Sequence, residues 1–171
     1  ASAMLGHIPL IEEIASEGRK TFISTGMSTL EEVFNALDNK ILINVEIKTH
    51  RWFDIKTAYN AVKIINKTRK INRTIISSFN PLTLWAVKTF NKKIPTGWIL
   101  KYRKLVPLIF VVRPDFIHPR GDMITKDLLS YAKRKRLRIN AWTINTKPAI
   151  VWLIDNGVGG IITDRLEFYK S

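Results

Sequence analysis

Apolar positions along the chain alternate between two spacings, one typical of helices and one of short buried strands. Leu10, Ile11, Ile14 and Ala15 fit one helix face ending near Gly18, and Thr21-Phe22-Ile23-Ser24 reads as a short strand closed by Gly26. Ser28 with Glu31 three residues on predicts a capping box for the next helix, which carries Leu30, Val33, Phe34 and Leu37 and runs to about Asn39. A β-rich run, Ile41 to Ile47, follows, and then a helix from about Lys56 to Lys70 with Tyr59, Val62 and Ile65 on one face. Thr74-Ile75-Ile76-Ser77-Ser78 is the next predicted strand, and Pro81 suits the first turn of a helix through Leu84, Val87 and Lys88.

The alternation continues to the end of the chain. Strands are predicted at Gly97–Leu100, Phe116–His118, Ile139–Ile144 and Gly159–Ile162, with helices around Leu128, Leu129 and Ala132 and from Pro148 through Ile154. Leu105 to Pro114 fits neither period. Seven strands in strict β-then-α order, with an eighth at the N-terminus, imply a parallel sheet covered by helices. That number of units favours a compact (β/α)8 TIM-type barrel with a short or incomplete first strand, spanning 1–171 as a single domain.

Composition narrows the reading. The 171 residues are 46% apolar, with five Trp and eight Phe, which is globular rather than disordered. The absence of Cys excludes a disulfide scaffold, a thiolate zinc site and a Cys nucleophile. No apolar run approaches the roughly 20 residues of a spanning helix, and the first residues do not read as a signal peptide. For a natural protein this points to the cytoplasm.

The 28 Lys+Arg against 14 Asp+Glu give a formal charge of +14. Cations cluster at Lys63 to Arg73, at Lys101, Arg103 and Lys104, and at Lys133 to Arg138. Two of these clusters close predicted helices, where cations complement the dipole. Aromatic residues are not interleaved with the basic ones as a single-strand stacking platform requires, which argues against nucleic acid. A basic module binding nucleic acid or anionic lipid through Lys133 to Arg138 is nevertheless one function class the charge allows.

In a parallel barrel the chemistry sits at strand C-termini. Those ends read Ser24 and Thr25, Glu46 and Lys48, Ser78 to Asn80, Trp98, His118, Trp142, Thr143 and Asn145, then Thr163 and Asp164. Glu46 and Lys48 are two apart on one strand, so both can point to the barrel axis. A carboxylate beside an ammonium suits a divalent cation with a phosphate, or else a structural ion pair.

From about Ser28 onward these residues resemble the glycerophosphodiester phosphodiesterase family. The matching pieces, in family order, are Thr29-Leu-Glu-Glu-Val33, Asn44-Val-Glu-Ile-Lys48, Ile76-Ser-Ser-Phe-Asn-Pro81, Gly97-Trp98, Ala141-Trp-Thr-Ile-Asn145 and Gly157-Val-Gly-Gly-Ile-Ile-Thr-Asp164. The resemblance implies that Glu46 is a metal carboxylate, that Lys48 faces phosphate, and that Phe79 and Trp142 line the glycerol side. It implies a weakly held Mg²⁺ or Ca²⁺ as the cofactor. The family's His-Arg-Gly on the first strand, and its Glu-x-Asp and His-Asp on the second, are missing, and Gly6-His7 only faintly matches the first. With one carboxylate and neither histidine in context, little turnover is expected.

Residues 1–34 resemble a sialic acid synthase barrel instead, through Ala1-Ser-Ala-Met4, Ile8-Pro-Leu-Ile-Glu-Glu-Ile-Ala15 and Phe22-Ile-Ser-Thr-Gly-Met-Ser-Thr-Leu-Glu-Glu-Val33. By that resemblance Ser2 and Ser24 stand near a phosphate. The two likenesses overlap at Ser28 to Val33, so a chimera is expected, joined in nature or by design, with 1–34 synthase-like and 28–171 phosphodiesterase-like. The expected ligand is phosphate, sulfate or a glycerophosphodiester-like molecule, held by Ser24, Lys48 and the glycines at 159–160. A rearranged but active site using Glu46, His50, Asp54 or His118 is the alternative. An open first strand would also expose an edge for self-association.

Overall fold

A computed structural model describes residues 29–36, 42–49 and 55–165. Six strands are present among them: β1 (Ile43–Glu46), β2 (Thr74–Ser78), β3 (Thr96–Leu100), β4 (Phe116–Pro119), β5 (Arg138–Ala141) and β6 (Gly160–Ile161). All pair in parallel in the order β1-β2-β3-β4-β5-β6, and the sheet curls into a half-barrel. The expected strand at Thr21–Ser24 and the helix before it lie outside the described residues.

The helices are α1 (Leu30–Ala36), α2 (Ile55–Lys67), α3 (Pro81–Phe90), α4 (Ile109–Val112), α5 (Lys126–Arg134) and α6 (Lys147–Asp155). The Leu105–Pro114 stretch, with neither period, is a 3-10 segment at Arg103–Leu108 running straight into the single turn of α4. Pro107 removes an N–H donor within it, which suits a tight i+3 turn better than a regular helix.

Local chemistry explains the helix starts. Asn80 caps α3 by accepting the Leu82 N–H at 3.0 Å, with Pro81 in the first turn, and Thr125 caps α5 by accepting from Leu128. The capping box of α1 sits one residue later than expected. Thr29 N donates to Glu32 Oε2 at 2.7 Å, and Glu32 N donates back to Thr29 Oγ1 at 3.3 Å. Glu31 turns instead to Lys67 on α2, at 2.7 Å. Both Ser-x-x-Glu and Thr-x-x-Glu frames satisfy the motif, so spacing alone could not choose between them.

Strands β3 and β4 are buried along their whole length, so the two faces are told apart by what each side chain packs against. Ile43, Val45 and Ile47 pack outward with Ala58, Val62 and Ile65 of α2, and Leu100, Ile117, Ile139 and Ala141 join the core that includes Leu128 and Leu153. The register Glu46↔Ser77↔Gly97↔Phe116↔Arg138 therefore runs along the concave face. His118 and Asn140 lie two residues further along their strands on the same face, and Asn140 pairs with Gly160.

Candidate functional site

The strand C-termini place four expected residues around the concave mouth. Glu46 ends β1, and Lys48 follows on the same face, its Nζ 4.0 Å from Glu46 Oε1. The Lys48 side chain is 77% exposed, so the pair is a loose, solvated one. Phe79, 42% exposed, directly follows β2 and meets Trp142 edge-to-face, with ring centroids 5.7 Å apart. Continuing the β1–β2 register sets Lys48 beside Phe79.

Indole N–H groups fix this aromatic pair. Trp98 Nε1 donates to the Phe79 carbonyl at 3.1 Å, and Trp142 Nε1 donates to the His118 carbonyl at 2.6 Å. The next loop is tied down by Ser78 Oγ donating to the Ile47 carbonyl at 2.8 Å and by Asn80 Nδ2 donating to Thr49 Oγ1 at 3.3 Å. Trp98 and Ser78 are thus supports of the mouth rather than members of it. At the other side Asn145 Oδ1 accepts from Thr163 Oγ1 and from the Asp164 N–H, both at 3.0 Å, closing the β5 and β6 loops on each other. Arg120, which follows β4, is occupied by both carboxylate oxygens of Asp122 at 2.6 Å. Those hydrogen bonds hold the Asp122 carboxyl below its ordinary range.

Beneath the mouth lies a layer that strand-end reading missed. His118 has no exposure, and its Nε2 lies 3.1 Å from the Asn140 amide nitrogen. That amide can only donate, so Nε2 accepts and Nδ1 carries the ring proton. Nδ1 has no hydrogen-bond partner among the described residues, and neither have the buried Asn44 Oδ1 and Ser77 Oγ of the same face. Burial pushes the His118 pKa down to about 4, so the ring is neutral at neutral pH. His118 was expected as a member of a rearranged site at the strand ends; it is instead buried packing inside the barrel. Asn140 had a legible signal, since it is two residues before Trp142 on one strand and so shares its face.

The glycines at 159–160 stand in the predicted last strand. They lie at the start of β6, the opposite end from the mouth, and the Gly159 N–H donates to the Ile139 carbonyl at 3.1 Å. A Cβ on Gly160 would fall 2.4 Å from Asn140 Oδ1. The smallness of Gly160 thus serves close packing against Asn140 on the concave face. Ser2, Ser24, His7, His50 and Asp54 lie outside the described residues.

A resident divalent cation needs several oxygen ligands, six to eight for Ca²⁺ and a near-octahedral set for Mg²⁺. Among the described residues no group of three or more His, Asp or Glu side chains converges, and the nearest charge to Glu46 is the Lys48 ammonium. The described donors do not fit a metal. They do fit an anion with an apolar neighbour, through the exposed Lys48 ammonium on the same rim as the Phe79 and Trp142 rings.

A parallel α/β half-barrel with its polar and aromatic side chains gathered at the strand C-termini defines a TIM-type barrel class of protein. Within that class the sequence matches the glycerophosphoryl diester phosphodiesterase family across residues 6–168, and the chain belongs to that family. The match runs through most of the segment that resembles a sialic acid synthase.

A glycerophosphodiester phosphodiesterase of Caldanaerobacter subterraneus subsp. tengcongensis is 30% identical over 149 residues, covering 85% of this chain and 61% of the relative. The chain therefore spans about three-fifths of that relative's length. Among solved structures, an Oleispira antarctica phosphodiesterase in complex with the product sn-glycerol-3-phosphate superimposes with a TM-score of 0.73 at 18% identity, over 84% of this chain and 61% of the other. A glycerophosphodiester phosphodiesterase described from Galdieria sulphuraria gives 0.70 at 16% identity, over 95% and 74%. At these identities the likeness shows the fold.

Proposed function

We propose that the mouth formed by Lys48, Phe79 and Trp142 binds the glycerol phosphate part of a glycerophosphodiester, and that this 171-residue chain turns such a diester over little or not at all. The observation that carries the binding reading is the exposed Lys48 ammonium on the same concave rim as the Phe79–Trp142 pair. An ammonium attracts the phosphate as a point charge, while the ring edges offer an apolar wall to the glycerol carbons. Family membership and the product found in the Oleispira relative support that choice of ligand.

The low turnover rests on chemistry the sequence lacks. Acid–base help of roughly 10²–10⁴-fold needs a group within reach of the reacting oxygen. His118 is buried, and Glu46 is the family carboxylate that is retained. The alternative, a metal-dependent hydrolase with a rearranged site, draws support from the name of the Caldanaerobacter relative. A chimeric origin of 1–34 rests on its synthase-like motifs.

Calorimetric titration with sn-glycerol 3-phosphate, beside glycerol phosphate release from a diester in Mg²⁺, Ca²⁺ or chelator, tests both parts. Saturable binding weakened by Lys48→Ala and by Trp142→Ala, with no release above the Glu46→Ala background, is the expected result. Absence of binding refutes the ligand assignment, and release that needs metal and Glu46 establishes the hydrolase instead.

A further inference from the structure

Residues 55–114 contain 13 Lys and Arg and not one Asp or Glu. This segment builds α2, β2, α3, β3, the 3-10 turn and α4, one continuous flank of the half-barrel. Glu31 and Asp115, from outside the segment, pair with Lys67 and Lys88 at 2.7 Å each. The flank still carries a large positive excess. Lys67 closes α2 and Lys88 lies in the last turn of α3, where helix dipoles account for them. Lys101, Arg103 and Lys104 have no such account, because Lys101 precedes a 3-10 turn and Arg103 and Lys104 open it, at the end where a helix dipole disfavours cations.

At that turn the chain also exposes hydrocarbon. Ile109 is buried and anchors the segment, while Leu108, Phe110 and Val111 around it point outward, Phe110 at 64% and Val111 at 72% exposure. Trp85 on the neighbouring α3 is 64% exposed as well. Cations lie over aromatic rings along the same stretch. The Lys101 and Lys104 ammoniums each lie 5.6 Å from the Tyr102 ring, and the Arg113 guanidinium lies 5.5 Å from the Phe110 ring. The patch begins at the rim of the mouth, since Lys101 directly follows β3.

We infer that this patch docks the protein onto an anionic phospholipid surface, with Phe110, Val111 and Leu108 entering the acyl boundary and Lys101, Arg103, Lys104 and Arg113 meeting the headgroups. Apolar side chains ringed by cations match a surface that is hydrocarbon below and negative above. A second copy of the same face is disfavoured, because it would set one strongly cationic surface against another. Nucleic acid would satisfy the cations and stack on rings, but it offers no hydrocarbon for Leu108 and Val111. The inference does not depend on ligand binding or turnover at the mouth.

Flotation with phosphatidylcholine vesicles, with and without phosphatidylglycerol, tests it on the whole chain, beside two variants checked for unchanged melting. Near an anionic surface each cation is worth about fivefold in affinity. Binding to phosphatidylglycerol vesicles should therefore fall roughly 100-fold in Lys101→Glu/Arg103→Glu/Lys104→Glu. It should fall at least about tenfold in Phe110→Ser/Val111→Ser, each buried methylene counting for several-fold. Plain phosphatidylcholine should bind poorly. Failure to float with anionic vesicles overturns the inference. So does full binding by Phe110→Ser/Val111→Ser together with equal binding to duplex DNA, which would make the flank a general polyanion surface. A dimer in light scattering that Phe110→Ser/Val111→Ser dissolves would assign the patch to a second copy.

Discussion

In the layer made by Gly97, His118, Asn140 and Gly160, side chains are buried and lie against the backbone of neighbouring strands, with Cβ positions on both glycines already filled by the next residue's side chain. Nearer the strand C-termini on the same concave face, Lys48, Phe79 and Trp142 are partly or largely exposed, held by a few hydrogen bonds to their backbone supports. The lower layer is interlocked, so a change there is paid in stability. The upper layer is open, so a change there should be felt by a ligand and hardly by the fold.

The largest expected effect is a pH dependence from His118. Its folded pKa lies near 4 through burial, while an unfolded histidine titrates near 6.5. Between these values the unfolded chain holds the extra proton, so stability falls as the pH drops from about 6.5 to about 4 and this contribution then levels off. A shift of that size corresponds to about 3 kcal/mol. Denaturant unfolding of the parent and of His118→Gln across this range measures it. The variant should lose less stability on acidification, and equal slopes would show that His118 is not the buried neutral group described.

Gly97→Ala comes next. The new Cβ would sit 2.6 Å from His118 Nε2 and 2.9 Å from Cε1, in a packed interior. Overpacking of this kind costs about 1–3 kcal/mol. A melting temperature unchanged from the parent would mean that the ring can move aside, and the lower layer would then be looser than its geometry indicates.

Much of the fold could be read from apolar spacing. Thr74–Ser78 falls where it was expected, and the other described strands agree to within a few residues, because fully buried parallel strands are continuous runs of β-branched and aromatic residues bounded by turns. Leu105 to Pro114 fitted neither period, since it covers most of a 3-10 turn joined to a single helical turn, which has no repeating face. The placement of Glu46, Lys48, Phe79 and Trp142 at the strand ends was legible from spacing. The Gly97–His118 and Asn140–Gly160 contacts were not, because they depend on pairings between strands about 20 residues apart.

Phe79→Ala carries the division to the open layer. An edge-to-face pair is worth about 0.5–1.5 kcal/mol, and Phe79 is already 42% exposed, so the stability loss should stay near the lower figure. Titration with sn-glycerol 3-phosphate should weaken by several-fold. A loss of stability as large as that of Gly97→Ala would erase the distinction between the layers.

The smallest effect on the fold should come from Lys48→Met, which keeps the aliphatic stem and removes the charge. Lys48 is 77% exposed and its Nζ is 4.0 Å from Glu46 Oε1, a geometry in which solvent screens most of the attraction. Exposed pairs of this kind contribute roughly 0–1 kcal/mol, so melting should barely move. Binding should respond differently, because the ammonium is the proposed partner of the ligand's phosphate. Raising the salt concentration should weaken the parent's affinity for sn-glycerol 3-phosphate and leave that of Lys48→Met nearly flat. If both lose affinity in parallel, the attraction comes from the protein's overall charge of +14, and Lys48 has no special place in the mouth.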